Sequence, residues 1–317
     1  MNISGLHHVT AIASDPQRNL DFYVELLGLR LVKRTVNFDD PGSYHLYFGD
    51  AVGTPGTILT FFSWPGAHRG VHGSGEVGAT AFAIPPDSAG YWLDRLKKLH
   101  VSAERAPKRF GEEVVRLADP DGMPIELIES IPSAAVVPWS ESPVSAERAI
   151  RGFHSVSARL QSAEATAKLI TETFGYQLVQ ETGNRSRFAA SGEAGIGQII
   201  DLVSAPDVHP GRIAVGSVHH IAFRVPNDEQ QIAWREKLIS QGYQVSPVMD
   251  RTYFHSIYFR EPGGVLFELA TDSPGFTLDE SVDELGVSLR LPAWMEHARP
   301  QIEEALPKIT VPGRATV

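Results

Sequence analysis

Two adjacent-histidine pairs, His7-His8 and His219-His220, stand in matching surroundings in a chain of 317 residues. Gly5 opens the run GLHHVTAIASDPQRNLDFY and Ser217 opens SVHHIAFRVPNDEQQIAW. In both, a strand pattern carries the pair, a turn residue (Asp15 or Asn227) follows seven positions after the second histidine, and a helix pattern comes next. Alternation along the later strand puts His220, Ala222 and Arg224 on one face and His219, Ile221 and Phe223 on the other. Farther on, Glu268 lies between Phe267 and Leu269, where a carboxylate is costly to bury without a partner. If they meet, His8, His220 and Glu268 form a set of two histidines and one carboxylate. With its remaining positions open, that set is the arrangement associated with non-haem Fe(II) oxygenases.

The elements that must bring them together repeat along the chain. A strand-helix-three-strand (βαβββ) pattern recurs at roughly 6–65, 76–130, 148–205 and 216–272. The residues at the first-strand ligand position are His8, Ala79, Ser155 and His220; those at the last-strand position are Thr60 or Phe61, then Glu126, Asp201 and Glu268. Only the fourth module carries both ligand types. One strand histidine alone reads as an ordinary core residue, but its recurrence at the repeat position, with a carboxylate in the same module as His220, favours a metal site. The ligands converge if modules one and four share a cavity. The expected fold is therefore α+β, with four βαβββ modules forming two barrel-like domains, one and four paired, two and three paired. Glu126 then makes a structural ion pair or hydrogen bond in a metal-free second barrel.

The 42% hydrophobic content allows a sizeable core, and no apolar run reaches membrane-spanning length. Neither a membrane span nor a signal peptide is read from the sequence, which makes the cytoplasm the expected compartment. The absence of cysteine excludes disulfides, thiolate zinc and a cysteine nucleophile. A net charge of −10 without a basic cluster argues against nucleic acid.

The first helix has clear limits: Ser14 or Asp15 as cap, Pro16 in the first turn, Gly28 beyond the end, and Leu20, Tyr23, Leu26 and Leu27 as its apolar face. The second module's helix is expected from Asp87 to Leu99. His68 and His72 fall in a glycine-rich connection, where histidines are ordinarily solvated rather than ligating. The domain division expected is 1–130, a Pro/Ser-rich linker at 131–147, 148–272, and a C-terminal extension at 273–317 with an amphipathic helix. Trp294, Met295, Ile302 and Leu306 are its candidate docking face, over core or, alternatively, as a lid.

The repeated module with its strand histidine resembles the vicinal oxygen chelate superfamily of glyoxalases, bleomycin-resistance proteins and extradiol dioxygenases. Within it, KRTVNFDDPGSYHLYFGD, PGTILTFFSW and DRTYFHSIYFREPGGVLFELAT resemble the hydroquinone ring-cleaving dioxygenases along nearly the whole chain. The resemblance implies Fe(II), or Mn(II) in some relatives, on His8, His220 and Glu268. It also implies supporting roles for Thr10, His219, Arg251 and Tyr258, with His219 or Tyr258 moving protons and Arg251 holding negative charge. The implied partners are a small aromatic substrate and dioxygen, with a homo-oligomer as the assembly. From the residues alone, Thr10 shares the His8 face, and Arg251 and Tyr258 are expected on adjoining strands. Read without the resemblance, Tyr258 is a barrel-filling aromatic, Arg251 a surface charge, His219 a core histidine and His7 structural. Two other functions compete: a glyoxalase-like lyase or isomerase, which usually employs a further carboxylate in the first module, and a non-catalytic protein that sequesters aromatic compounds.

Overall fold

The computed structural model describes residues 1–131, 136–190 and 195–312. Module one is β1 (Leu6–Ala13), α1 (Pro16–Asp21) continued by a π-helical turn at Phe22–Leu26, then β2 (Arg30–Asn37), β3 (Asp40–Gly49) and β4 (Ile58–Ser63). Asp15 caps α1 by accepting from Arg18 N–H at 2.8 Å, and Gly28 follows with φ +75°, a left-handed conformation that favours glycine. Module two is β5 (Glu76–Ile84), α2 (Ala89–Lys98), β6 (Ala103–Arg109), β7 (Glu112–Ala118) and β8 (Pro124–Glu129). Its helix starts later than the expected Asp87 because Asp87 itself adopts φ +59°, outside the helical region.

Module three is β9 (Phe153–Leu160), α3 (Glu164–Lys168) with a π-helical turn at Leu169–Thr173, β10 (Gln177–Thr182), β11 (Arg185–Ala189) and β12 (Ile199–Ser204). Module four is β13 (Val218–Val225), α4 (Asp228–Ser240), β14 (Met249–Asp250), β15 (Phe254–Arg260) and β16 (Leu266–Pro274). Asn227 caps α4 through Gln230 N–H at 3.0 Å.

Two eight-stranded sheets result, ordered β14-β15-β16-β13-β1-β4-β3-β2 and β10-β11-β12-β9-β5-β8-β7-β6. Each joins two modules through their antiparallel first strands, β1 with β13 and β5 with β9, while each first strand runs parallel to its own module's last. Modules one and four therefore share one sheet, and two and three the other. Outside the sheets, Leu20, Tyr23, Trp92, Phe174 and Trp234 are buried in one continuous apolar core.

The proposed linker joins the two modules of the second sheet. Residues 132–135 lie outside the described residues; beyond them Val136 and Val144 are buried, and Ser142 Oγ donates to Gly28 O at 2.8 Å. In the C-terminal extension the helix is shorter than the sequence pattern suggests. A 3₁₀ turn at Glu296–Ala298 precedes α5 (Arg299–Ala305), because Pro300 is tolerated only in a first turn. Ile302 and Leu306 are buried as docking residues, whereas Trp294 is 49% exposed and meets Phe38 edge-on at 5.7 Å.

Candidate metal centre

Sheet register builds the centre in two rows. Ala222 of β13 stands opposite His8 of β1 on one side and Glu268 of β16 on the other, with Tyr258 of β15 beyond Glu268. The neighbouring row runs His220, Thr10, Thr60, Tyr47 across β13, β1, β4 and β3. Residues level with each other in a sheet project to one face, so both rows converge on the same concave surface. The small Ala222 side chain lets His8 and Glu268 close over it.

The Nε2 atoms of His8 and His220 lie 3.4 Å apart, and Glu268 Oε2 is 3.4 Å from the first and 2.8 Å from the second. Three mutually adjacent ligands on one ion at bond lengths of roughly 2.1 Å stand about 3 Å apart, so the separations suit a facial triad. Among the described residues this is the grouping of His, Asp and Glu close enough to hold an ion. The donor atoms fit one as well. Ser256 Oγ donates to Glu268 Oε1, while the buried Oε2 has no hydrogen-bond partner. His8 Nδ1 contacts His7 Nδ1 at 2.9 Å and His220 Nδ1 contacts His219 Nδ1 at 2.7 Å, which leaves both Nε2 atoms for the centre. An N₂O donor set of this kind suits divalent first-row metals.

Electrostatics agree with that assignment of protons. Burial, then the adjacent His8, holds His7 well below the usual histidine range, and burial, then His220, pushes His219 down to about 3. Held neutral in this way, each suits the role of acceptor for an Nδ1–H of its neighbour when that neighbour's Nε2 is given to an ion. Burial alone would raise Glu268, but its contacts with His8 and His220 outweigh it and keep the carboxyl well below the usual range.

The other residues singled out from sequence fall in different places. Thr10 lines the cavity and shares a 2.8 Å hydrogen bond with Thr60. Tyr258 and Arg251 also line it. Arg251, expected on a strand, lies just past the end of β14; its guanidinium is 5.6 Å from the Tyr258 ring centre and 3.2 Å from the exposed Asp39. His219 points away, into a separate cavity of about 250 Å³ lined also by Trp64, Glu76 and Arg260. His72 pairs with Glu76 at 3.2 Å, and neither it nor His68 joins the centre. Glu126 is held by Arg109 and Arg116, so the second barrel has a guanidinium where the first has its His/His/Glu cluster.

Sequence reading overlooked His45. On β3 it lines the cavity, with Nε2 2.9 Å from Thr60 Oγ1 and Nδ1 2.9 Å from the Tyr47 hydroxyl. Burial, then His8, keeps it well below the ordinary histidine range. The available signal was alternation, since His45 and Tyr47 occupy the same face of their strand. Phe38, Phe62 and Phe254 complete an apolar wall around a space of only about 30 Å³. Sites that bind drug-sized molecules begin at roughly 300 Å³, so a molecule of that size would have to displace part of this wall.

Similar proteins were found in sequence and in structure. The sequence model of the glyoxalase/bleomycin resistance protein/dioxygenase superfamily matches residues 5–127 and 152–269. The chain is 45% identical over 302 residues to the protein named "Putative ring-cleaving dioxygenase MhqO" of Bacillus subtilis, covering 95% of each. It is 35% identical over 306 residues to the chlorohydroquinone/hydroquinone 1,2-dioxygenase of Sphingobium indicum, again covering 95% of each. A crystal structure titled as a putative dioxygenase from Bacillus subtilis superposes with a TM-score of 0.93 at 45% identity, covering 98% of both chains. Glyoxalase I of Zea mays superposes with a TM-score of 0.63 at 15% identity over 85% of this chain and 92% of that one, a likeness of fold alone. Matched in both of its module pairs and alike to these relatives along nearly its whole length, the chain belongs to the glyoxalase/bleomycin resistance protein/dioxygenase superfamily.

Proposed function

We propose that this protein is a ring-cleaving dioxygenase of the extradiol type, acting on a hydroquinone or catechol with dioxygen at a mononuclear Fe(II), or Mn(II), held by His8, His220 and Glu268. The observation that carries the reading is a triad with no fourth His, Asp or Glu ligand among the described residues. Thr60, the counterpart of Glu268 in module one, is a hydroxyl tied to Thr10 and His45, so the further carboxylate usual in glyoxalase-type centres is missing. The relatives named above support the choice of reaction and substrate class.

When bound, the ion supplies a place where a phenolic oxygen and dioxygen meet in fixed orientation and overcomes their slow direct reaction. The chain supplies the rest. Despite its partial burial Arg251 stays charged beside Asp39, and it offsets the negative charge of a deprotonated phenol. Burial, then Glu268, raises the Tyr258 hydroxyl above the usual tyrosine range, so it remains a proton donor to a developing oxyanion at neutral pH. Thr10 holds Thr60, and through it His45, in the cavity wall. His219 works through His220, as a positioning residue that keeps the Nε2 lone pair directed at the ion. Phe38, Phe62 and Phe254 exclude water around the ring. Both oxygen atoms of dioxygen end in the product: cleavage of hydroquinone between a hydroxylated carbon and its neighbour yields a carboxylic acid and an aldehyde.

Oxygen uptake by protein loaded anaerobically with Fe(II), assayed against a panel of hydroquinones and catechols, tests the reading. Stoichiometric uptake with loss of the aromatic absorbance is expected. Metal-loaded protein that binds these compounds without consuming oxygen would establish a sequestering protein instead.

A further inference from the structure

The second barrel contains a cavity of about 380 Å³ lined by Arg109, Arg116, Arg159, Arg185, Glu126 and Ser157. It occupies the place that the metal centre holds in the first barrel, since Glu126 stands opposite Ala81 of β5 as Glu268 stands opposite Ala222 of β13. Its charges do not balance. Arg109 grips both oxygens of Glu126 and Arg116 Nε reaches the same carboxylate at 3.2 Å. Asp201 takes Arg185 and Arg187 at 2.9 Å each, and Arg187 also meets Glu112 at 2.7 Å. In this barrel five guanidiniums, counting Arg159 and Arg187, the latter outside the cavity lining, thus meet three carboxylates, in a chain whose net charge is −10. The exposed Glu104 approaches Arg116 only to 4.0 Å.

Arg159 is the clearest surplus. Among the described residues its guanidinium has no ion pair or side-chain hydrogen bond; Glu76, opposite it on β5, turns its carboxylate to Gly73 N–H and His72 instead. Gly78 makes room for it. A Cβ there would lie 3.1 Å from Arg159 Nη2 and 3.3 Å from Nε, although the Gly78 backbone is not in the left-handed region and does not itself require glycine. A partly buried, unpaired guanidinium given space by a glycine is suited to a planar oxyanion, which it can grip through two parallel N–H bonds.

We propose that this cavity binds a small organic acid, with dicarboxylates preferred. Arg116 and Arg159 stand on β7 and β9, with β8 and β5 between them, and so approach the space from opposite sides, where one molecule with two carboxylates can meet both. The site is independent of the metal chemistry. That the enzyme's own ring-cleavage product, an organic acid, belongs to this ligand class rests on the function proposed above.

Calorimetric titration of metal-loaded protein with cis,cis-muconate, sorbate and inorganic phosphate tests the proposal, and it reads heat of binding rather than oxygen uptake, so failure of the ring-cleavage reading leaves it standing. One muconate per chain is expected, bound more tightly than sorbate and more weakly as salt is raised. Loss of a charge-assisted hydrogen bond in Arg159→Gln should weaken it ~10- to 100-fold, with Arg116→Gln as a more exposed second variant, while Arg251→Gln should bind muconate like the parent. Absence of saturable binding at millimolar muconate overturns the site. Binding lost in Arg251→Gln but kept in Arg159→Gln puts the anion in the first barrel and overturns it equally. Phosphate binding as tightly as muconate overturns the assignment to organic acids.

Discussion

His8 and His220, 212 residues apart in sequence, bring their Nε2 atoms to 3.4 Å across the junction of β1 and β13. Glu268 closes the triangle from the next strand, so loss of any one corner should empty the centre. His8→Ala, His220→Ala and Glu268→Gln are each expected to lose most of the metal, measured as moles of metal per chain after loading and desalting. Full stoichiometry in all three variants would remove the assignment. Glu126→Gln should keep its metal but lose ~3–5 kcal/mol of stability, because it leaves the buried Arg109 unpaired.

Ala222 separates the two corners of one row, and its side chain must stay small. Ala222→Leu places a branched chain between His8 and Glu268 at a fully buried position. Overpacking of this kind costs ~1–3 kcal/mol, and metal stoichiometry should fall while the circular dichroism spectrum persists. Parent-like metal binding would show that the row geometry is not limiting.

Tyr258 and Arg251 are expected to act after the metal is in place. Tyr258→Phe and Arg251→Gln should retain the ion and lower turnover by ~10²- to 10³-fold, the usual effect of removing one preorganised donor to a developing anion. Single-turnover oxygen consumption at matched metal content measures this. Parent-like turnover in both would reduce them to wall packing and charge at the cavity edge.

Phe38 closes the cavity beneath Trp294. Phe38→Ala should lower KM for hydroquinones with bulky ring substituents more than for hydroquinone itself, because the space above the triad is otherwise about 30 Å³. Equal KM changes across a substituent series would place the entry route elsewhere.

Asp119 supplies a pH dependence away from the centre. Burial raises its carboxyl from 3.8 to about 6, against the hydrogen bonds it accepts from Met123 and Asp121 N–H. Below pH 3.8 folded and unfolded forms are both protonated there. As pH rises toward 6 the unfolded chain releases its proton first, so this residue makes stability fall, by about 3 kcal/mol in all. Urea unfolding at pH 4 and pH 7 should show the parent losing most of that, about 2 kcal/mol, relative to Asp119→Asn, because the unfolded carboxyl is already partly ionised at pH 4. A constant difference between the two proteins would contradict the raised value.

What the sequence determined by itself was local and periodic. The spacing from His8 to Asp15, repeated from His220 to Asn227, marks a strand, a cap and a helix, and alternation assigns Thr10 to the His8 face, because side-chain direction in a strand follows from residue number alone. The need of two distant histidines for one carboxylate was enough to anticipate that modules one and four pair. Tertiary structure decided whatever depends on register between strands. It selected Thr60 rather than Phe61 as the partner of Thr10, a step of one residue that reverses every side chain on the strand. It put His45 and Tyr47 into the cavity wall, turned His219 toward a separate cavity, and moved Arg251 off its expected strand to the cavity edge, where it meets Asp39. Each of these is set by contacts between segments far apart in the chain, whose pairing no local pattern encodes.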